Sequence, residues 1–300
     1  MTEELHNRKK AIAGLILMTL IVAGNFLVAK YAVARIEIKA LILFRLLGSG
    51  IFLLTLLKLT GKWKSFTFKT HLKLLLIGVI GGSLNQSLFF LGLSYENIKP
   101  DHAALIYGST GAASYLITLA LKRESFSWHK ILGISLSFAG AGIILFDGGM
   151  TLSGTSLEGW LVLFTGMIFF SCYLVFGQSI VKEVGAFAAT AWAMTYGGLI
   201  ILPIGMGDAL AVNFSQLSFY ETGSILYMII LTNGTAFFLW YYSLKYLAAS
   251  ESTLFTTLQP PMTSLFVWIF MGIAITPVIA AATLLVVSGI YINTRAIKNA

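Results

Sequence analysis

Residues 8–30 read RKKAIAGLILMTLIVAGNFLVAK, a basic cluster followed by an apolar run that ends at Lys30. A helix needs about 20 mainly apolar residues to cross the roughly 30 Å hydrocarbon core of a bilayer, and this run is long enough. The 300-residue chain is 57% hydrophobic and 11% charged, with a mean hydropathy of +0.86. A soluble domain of this size could not bury so much apolar surface. The sequence therefore predicts an integral membrane protein.

Similar apolar stretches recur along the rest of the chain. They are continuous and lack the alternation of barrel strands, which favours helices. The first stretch is longer than the apolar core of a signal peptide, so we predict a retained span rather than a cleaved leader. The predicted fold is all-α, with ten transmembrane helices at 11–34, 39–60, 72–94, 101–121, 129–147, 158–180, 186–206, 222–247, 251–273 and 277–295.

Lys and Arg residues are concentrated in alternate loops. With the N-terminus in the cytoplasm, most of the 20 basic residues fall on the cytoplasmic side, as the positive-inside rule requires. The even number of spans then places the C-terminus in the cytoplasm too. We therefore predict a multi-pass protein of the cell inner (plasma) membrane with both termini in the cytoplasm. These loops account for the net charge of +8. The predicted partners are the lipid bilayer and a small-molecule substrate, and nucleic acid is not among them.

Weak internal similarity divides the chain into two halves, 1–150 and 151–300. Residues 25–28 (NFLV) correspond to 172–175 (CYLV), and residues 139–143 correspond to 288–292. Five spans in each half is an odd number, so the second half must be inverted relative to the first. Inverted repeats are typical of secondary transporters, because two mirror-related halves can exchange inward-open and outward-open states. The sequence thus predicts transport by alternating access.

Several short motifs resemble those of one known family, the EamA domains of the drug/metabolite transporter (DMT) superfamily. The matching positions are Gly24-Asn25-Phe26 followed by Lys30, Arg45, residues 238–244 (FLWYYSL), Gln259-Pro260, and the glycines Gly133, Gly140 and Gly289. The resemblance covers essentially the whole chain as two EamA-like repeats. It implies ten helices, cytoplasmic termini, and export or exchange of a small metabolite. The family usually has a proline in the fourth span where this chain has Ser109-Thr110-Gly111, so a kink there is lost or is produced differently.

Polar side chains at membrane depth are costly and therefore mark candidate functional sites. Amides in repeat-related spans predict a shared polar cavity, although a hydrogen bond between helices is an equal alternative for each one. Aromatic side chains at mid-depth suit planar or amphipathic organic solutes, and interfacial belts are the alternative. Gln259 precedes two prolines that remove backbone donors, which makes it the strongest single candidate. The predicted substrate-binding residues are Asn25, Asn85, Gln86, Tyr107, Asn233, Trp240, Tyr241, Gln259 and Lys30.

Two basic residues, Lys30 and Arg45, lie within the predicted spans, toward the outer side. Each could extend to the outer headgroups or pair with Glu37, or could attract a carboxylate or phosphate in the translocation path. The first interpretation is favoured for Lys30. It is favoured more strongly for Arg45, where the family resemblance suggests a structural role.

Acidic residues are absent from the middle of every predicted span, and Asp101 and His102 are assigned to a solvated loop or span end. Classical proton/cation antiport is therefore disfavoured, and we predict facilitated export or exchange of a neutral, zwitterionic or anionic metabolite such as an amino acid. The chain has a single cysteine, Cys172, and no phosphate-binding or metal-binding motif, so no cofactor, metal or enzyme activity is predicted. A nucleotide-sugar or nucleoside-phosphate carrier ranks second, and an intramembrane enzyme or receptor ranks third.

Overall fold

The computed structural model describes residues 2–123, 126–147, 155–243, 246, 255 and 258–298, and within them it contains helices and no strands. Two π-helical segments, Gly78–Leu84 and Tyr227–Ala236, interrupt the third and eighth predicted spans. The α-helices are α1 (Thr2–Val33), α2 (Ile38–Leu59), α3 (Phe68–Ile77), α4 (Asn85–Ser94), α5 (Pro100–Gly108), α6 (Thr110–Ala120), α7 (Trp128–Asp147), α8 (Thr155–Val184), α9 (Ala186–Ala211), α10 (Phe219–Leu226), α11 (Phe237–Ser243), α12 (Gln259–Met271) and α13 (Pro277–Lys298).

Seven helical segments of the described residues are long and apolar enough to cross a membrane. The all-α, membrane-spanning prediction is therefore confirmed. The predicted spans at 129–147, 251–273 and 277–295 fall on α7, α12 and α13, which are not among these seven, so the count of ten stays a prediction. Parts of the eighth and ninth predicted spans, and the predicted boundary between the halves at residue 150, lie outside the described residues.

The outward surface of the bundle is apolar, as α9 illustrates. Leu199, Ile200 and Ile204 on this helix are 48%, 44% and 61% exposed. Water would solvate so extensive an apolar surface poorly, so lipid is the medium that suits it. The opposite side of α9 packs along α2 and along the first π-helical segment.

The contacts between helices in one half have counterparts in the other. Helix α1 is central and packs against α4, α5, α12 and the second π-helical segment. The contact of α4 with α8 corresponds to that of the second π-helical segment with α1, and the contact of α6 with α8 corresponds to that of α12 with α1. This mirrored pattern indicates a two-repeat architecture.

Helices α2 and α9, the second of each half, run antiparallel. At one end of the pair, Lys39 Nζ lies 3.5 Å from Asp208 Oδ2. At the other end, Trp63 just beyond α2 contacts Trp192 near the start of α9, with ring centroids 5.8 Å apart. The loops that follow α2 and α9 therefore lie at opposite ends of the bundle, as the predicted inversion requires.

The fourth predicted span is broken at Ser109 without a proline. Helix α5 ends at Gly108, Ser109 has φ −80° and ψ 0°, and α6 begins at Thr110. The Ser109 amide donates to the Ile106 carbonyl at 3.0 Å, which is the tighter turn of a 3₁₀ helix. A Cβ on Gly108 would lie 2.9 Å from Cγ of Pro260, so α12 approaches closely at the break. The helix is thus interrupted here without a proline, and a kink at this position stays a prediction.

Candidate functional site

Arg45 lies two turns into α2, and its side chain points into the bundle, where the residue is 3% exposed. Its Nε and Nη2 donate to Oδ1 of Asn233 at 3.2 and 3.1 Å. Asn233 is fully buried in the second π-helical segment, and its Nδ2 donates to Sδ of Met194 at 3.5 Å. The guanidinium carbon lies 5.2 Å from the ring centroid of Phe90, a cation–π distance. A buried positive charge therefore joins helices of both halves.

The prediction that Arg45 extends toward the outer headgroups is wrong, because a side chain this deeply buried reaches no headgroup. A structural role accounts for the bonds to Asn233 but leaves the buried Nη1 without a hydrogen-bond partner. Among the described residues, no carboxylate forms an ion pair with Arg45. The sequence contained one signal, a guanidinium within an apolar span, but it did not show the direction in which that group points.

A second polar group forms around Asn85, the first residue of α4. Its Oδ1 accepts from the Tyr107 hydroxyl at 2.9 Å, and its Nδ2 donates to the Gly81 carbonyl at 3.2 Å. The neighbouring Gln86 is also buried, and its Oε1 has no hydrogen-bond partner. Asn85 of α4 is therefore bonded to Tyr107 of α5, and the third predicted site residue, Gln86, follows Asn85 in the chain.

An aromatic cluster connects these two polar groups. The Phe89 ring lies 5.3 Å from Phe90, beneath Arg45, and 5.3 Å from Tyr107. Phe26 on α1 contacts Phe89 and Tyr107 at 5.7 and 6.2 Å. Rings at these separations form the edge-to-face contacts that aromatic pairs prefer. The arrangement can contact an apolar or planar solute while the polar groups orient it.

Asn25, beside Phe26 on α1, faces the other half of the molecule. Its Oδ1 accepts from the Thr232 hydroxyl at 3.1 Å, and Thr232 directly precedes Asn233. Two adjacent side chains of α1 thus point to different sides of the helix: Asn25 contacts Thr232 of the second half, and Phe26 contacts Tyr107 of the first half. Asn25 is thus bonded to the residue next to Asn233, and its role in substrate binding stays a prediction.

Gln259, the strongest candidate from the sequence, lies apart from these groups. It is the first residue of α12, with Pro260 and Pro261 in the first turn, where missing donors cost little. Its Nε2 lies 3.9 Å from Sδ of Met18, a weak contact. Met18 is two helical turns before Asn25 on α1, so Gln259 is displaced along the helix axis from the amides above.

Lys30 binds the end of a helix. Its Nζ donates to the carbonyls of Leu93 and Tyr95 at 2.8 and 2.7 Å, at and just beyond the last turn of α4. Carbonyls at a helix C-terminus lack partners within the helix, and a lysine ammonium satisfies them well. The interpretation that Lys30 reaches the headgroups or pairs with Glu37 is therefore wrong.

Trp240, one of the two predicted aromatic residues of α11, lies outside the polar groups. Trp240 is half-buried and packs against an apolar cluster that includes Leu15 and Met18 of α1. Tyr241 lies in α11, and its side chain is outside the part of the chain that the structure describes. Trp240 lies about two turns beyond Asn233, so distance along the helix separates it from Arg45.

Asp101 and His102 are not solvated, contrary to the sequence interpretation. They are 2% and 1% exposed in the first turn of α5. Oδ1 of Asp101 accepts from the His102 amide at 3.0 Å, and the His102 ring stacks on Trp160 with centroids 5.2 Å apart. Packing of α5 against α8 buries this turn, and a sequence pattern does not report contacts between distant helices. Asp101 nevertheless lies at the end of its helix rather than in the middle.

The apolar outer surface, the mirrored helix contacts and the buried polar centre define a multi-pass membrane protein with two repeats. A model of the EamA-like transporter family matches residues 9–146 and again residues 157–295. The chain belongs to this family, and the predicted membership of the DMT superfamily is confirmed.

Individual relatives are distant but cover most of the chain. Identity is 26% to YyaM, an uncharacterized transporter of Bacillus subtilis (strain 168), over 80% of this chain and 79% of that protein. Identity is 23% to a probable terminal-alkyne amino-acid exporter of Streptantibioticus cattleyicolor, over 73% of this chain and 72% of that protein. A solved crystal structure with 17% identity has a TM-score of 0.70, covers 96% of this chain and 98% of its own, and shows the same fold.

Proposed function

We propose that this protein is a secondary transporter that exports or exchanges a small organic metabolite, such as an amino acid or a related neutral or anionic solute, by alternating access. The buried contact of Arg45 with Asn233 is the observation that supports this function most directly. It places a charge and an amide between helices of the two halves. Polar groups at such depth are costly and usually mark a solute pathway, and transporters bind substrate where their repeats meet.

The proposed arrangement has ten spans in two inverted EamA-like repeats, 1–150 and 151–300. The protein lies in the cell inner membrane, and both of its termini are in the cytoplasm. The antiparallel course of α2 and α9 supports the inversion. The end of the bundle with Trp63 also carries Lys62, Lys64, Lys69 and Lys73, which the positive-inside rule assigns to the cytoplasm.

Ion pairs between the halves at both ends are suited to a gating role. At the basic end, Lys73 Nζ lies 2.6 Å from Glu183 Oε2. At the opposite end, Lys39 pairs with Asp208, and Arg35 lies 3.9 Å from Glu221. Solvent screens partly exposed pairs of this kind, so each contributes little to stability. They can therefore break and form again as access alternates, at little cost.

A nucleotide-sugar or nucleoside-phosphate carrier is supported less well. A diphosphate group calls for several cationic donors. Among the described residues, Arg45 is the one buried arginine or lysine. The Streptantibioticus relative, a probable terminal-alkyne amino-acid exporter, favours the smaller class of solute.

Counterflow in proteoliposomes tests the proposal. Vesicles loaded with each unlabelled amino acid are supplied with the same labelled amino acid outside, and protein-free vesicles are the control. We expect saturable uptake of at least one amino acid, with a rate that changes less than about twofold when a pH gradient is imposed. Steep dependence on the gradient would contradict uncoupled exchange. Uptake of a labelled nucleotide sugar without uptake of any amino acid would favour the second candidate.

A further inference from the structure

Two buried polar atoms of opposite character lack partners near the aromatic cluster. Nη1 of Arg45 is a donor, Oε1 of Gln86 is an acceptor, and neither has a hydrogen bond. Gln86 and Phe90 are four residues apart on α4, so they share one face of that helix. Because the guanidinium of Arg45 lies over Phe90, both unpartnered atoms are on this face.

The charge of Arg45 is positioned but not neutralised. Asn233 accepts from Nε and Nη2, which fixes the plane of the guanidinium and leaves Nη1 directed away from that amide. An amide, unlike a carboxylate, leaves the positive charge intact. A buried charge without an opposite charge is strongly unfavourable, and within the described residues no ion pair satisfies it. An anionic ligand at Nη1 would supply both the missing charge and the missing hydrogen bond.

The unpartnered atom of Gln86 adds a second requirement. An amide oxygen accepts hydrogen bonds and suits a cationic or neutral donor. A ligand with a carboxylate for Arg45 and an ammonium for Gln86 would satisfy both atoms, and an α-amino acid carries these two groups on one carbon. The rings of Phe89 and Tyr107 could then contact its side chain.

We propose that Arg45 Nη1 binds the carboxylate, and Gln86 Oε1 the ammonium, of an α-amino acid whose side chain contacts the aromatic cluster. This assignment rests on the proposed transport function and names the two residues that distinguish its substrate class. Arg45 determines the preference for a carboxylate, and Gln86 determines the preference for an amino group.

Binding titrations of the purified full chain test the assignment with three probes that differ by one group. L-Phenylalanine has both groups, its carboxamide lacks the carboxylate, and 3-phenylpropionate lacks the amine. We expect wild-type protein to bind phenylalanine at least tenfold more tightly than the carboxamide and at least fivefold more tightly than 3-phenylpropionate. Arg45→Gln should reduce the first ratio to below about threefold. Gln86→Leu should reduce only the second.

Matched controls use residues of the same type outside the site. Arg123→Gln and Gln178→Leu change exposed positions that have no place in the site or in the ion pairs between the halves, and they should leave both ratios as in wild type. If Arg45→Gln does not fold, Arg45→Lys decides, since lysine keeps the charge but cannot bond Asn233 and a ligand in the same forked geometry. The carboxylate preference should then fall severalfold.

The outcomes separate this assignment from the transport function. A carboxylate preference that survives in the folded Arg45 variant, or that is absent from wild type, overturns the assignment. If amino-acid counterflow persists in either case, the proposed function stands and the residues named here do not bind those groups. If wild type neither binds nor exchanges any amino acid, the substrate class fails and the assignment fails with it.

Discussion

At the scale of single residues, the neutral amide of Asn233 holds the buried charge of Arg45 in place. Asn233 donates to a methionine sulfur and accepts two bonds from Arg45, so both its amide nitrogen and its amide oxygen are bonded. Hydrogen bonds to charged groups contribute about 1.5–3 kcal/mol, and a buried charge that loses its partner adds a desolvation penalty. The stability of the fold and the position of the Arg45 guanidinium therefore both depend on the Asn233 side chain.

Replacement of Asn233 by alanine should destabilise the protein by about 3 kcal/mol or more, because it removes both acceptor contacts of the buried Arg45 guanidinium. Reversible unfolding in mixed detergent micelles measures the difference from wild type. Asn213→Ala is the matched control, since Asn213 is exposed in the loop after α9, and its cost should stay below about 1 kcal/mol. Equal destabilisation by the two substitutions would show that the Arg45 contact does not contribute.

At the scale of elements, each half contains a π-helical segment next to an amide. Asn85 directly follows Gly78–Leu84, and Asn233 lies within Tyr227–Ala236. The wider turn changes the direction in which later side chains point, and such segments are frequent at functional sites. The first segment also requires a close neighbour: a Cβ on Gly197 of α9 would lie 2.8 Å from the Gly78 carbonyl oxygen and 3.0 Å from Gly82 Cα.

Gly197→Ala should therefore destabilise the protein by about 1–3 kcal/mol, because backbone atoms, rather than a flexible side chain, must move to accommodate the methyl group. Gly207→Ala on the same helix is the control, since nothing lies within 4 Å of its Cβ position. A methyl group there should be neutral or stabilise the helix by about 0.5–1 kcal/mol. Thermal unfolding of both variants in detergent measures the contrast, and similar melting temperatures would argue against close packing at Gly197.

At the scale of the whole molecule, the two repeats give the bundle two distinct ends. Lys73–Glu183 and the Trp63–Trp192 contact mark one end, and Lys39–Asp208 and Arg35–Glu221 mark the other. Every one of these contacts joins the first half to the second. Relative movement of the halves would exchange contacts at one end for contacts at the other, which is the geometry that alternating access requires.

Labelling with a membrane-impermeant maleimide in intact cells tests the predicted orientation. Single cysteines are introduced at Lys62, after α2, and at Ser215, after α9, in a Cys172→Ser background. Ser215→Cys should be labelled from outside, and Lys62→Cys should react only after the cells are permeabilised, because the two loops lie at opposite ends of the bundle. Labelling of both positions from the same side would contradict the inverted arrangement.

The sequence by itself determined that the protein lies in a lipid bilayer, that it is all-helical, and which family it belongs to. Apolar length, charge alternation and short motifs are local properties, and the bilayer allows few structures that satisfy every backbone group. The sequence also singled out Ser109 as unusual, because it lacks the family's proline there and so predicted that the kink is lost or is produced differently. Amides at depth were identified correctly as buried polar groups, since Asn25, Asn85, Gln86 and Asn233 are all under 5% exposed.

Only the tertiary structure decided which of those residues meet. It placed Arg45 inside the bundle rather than toward the outer headgroups, assigned Lys30 to the end of α4, and separated Gln259 and Trp240 from the polar groups. These outcomes depend on the rotation of each helix about its axis and on partners far away in the chain. A residue's depth can be counted along its own span, but its direction is fixed by packing against helices that no local pattern describes.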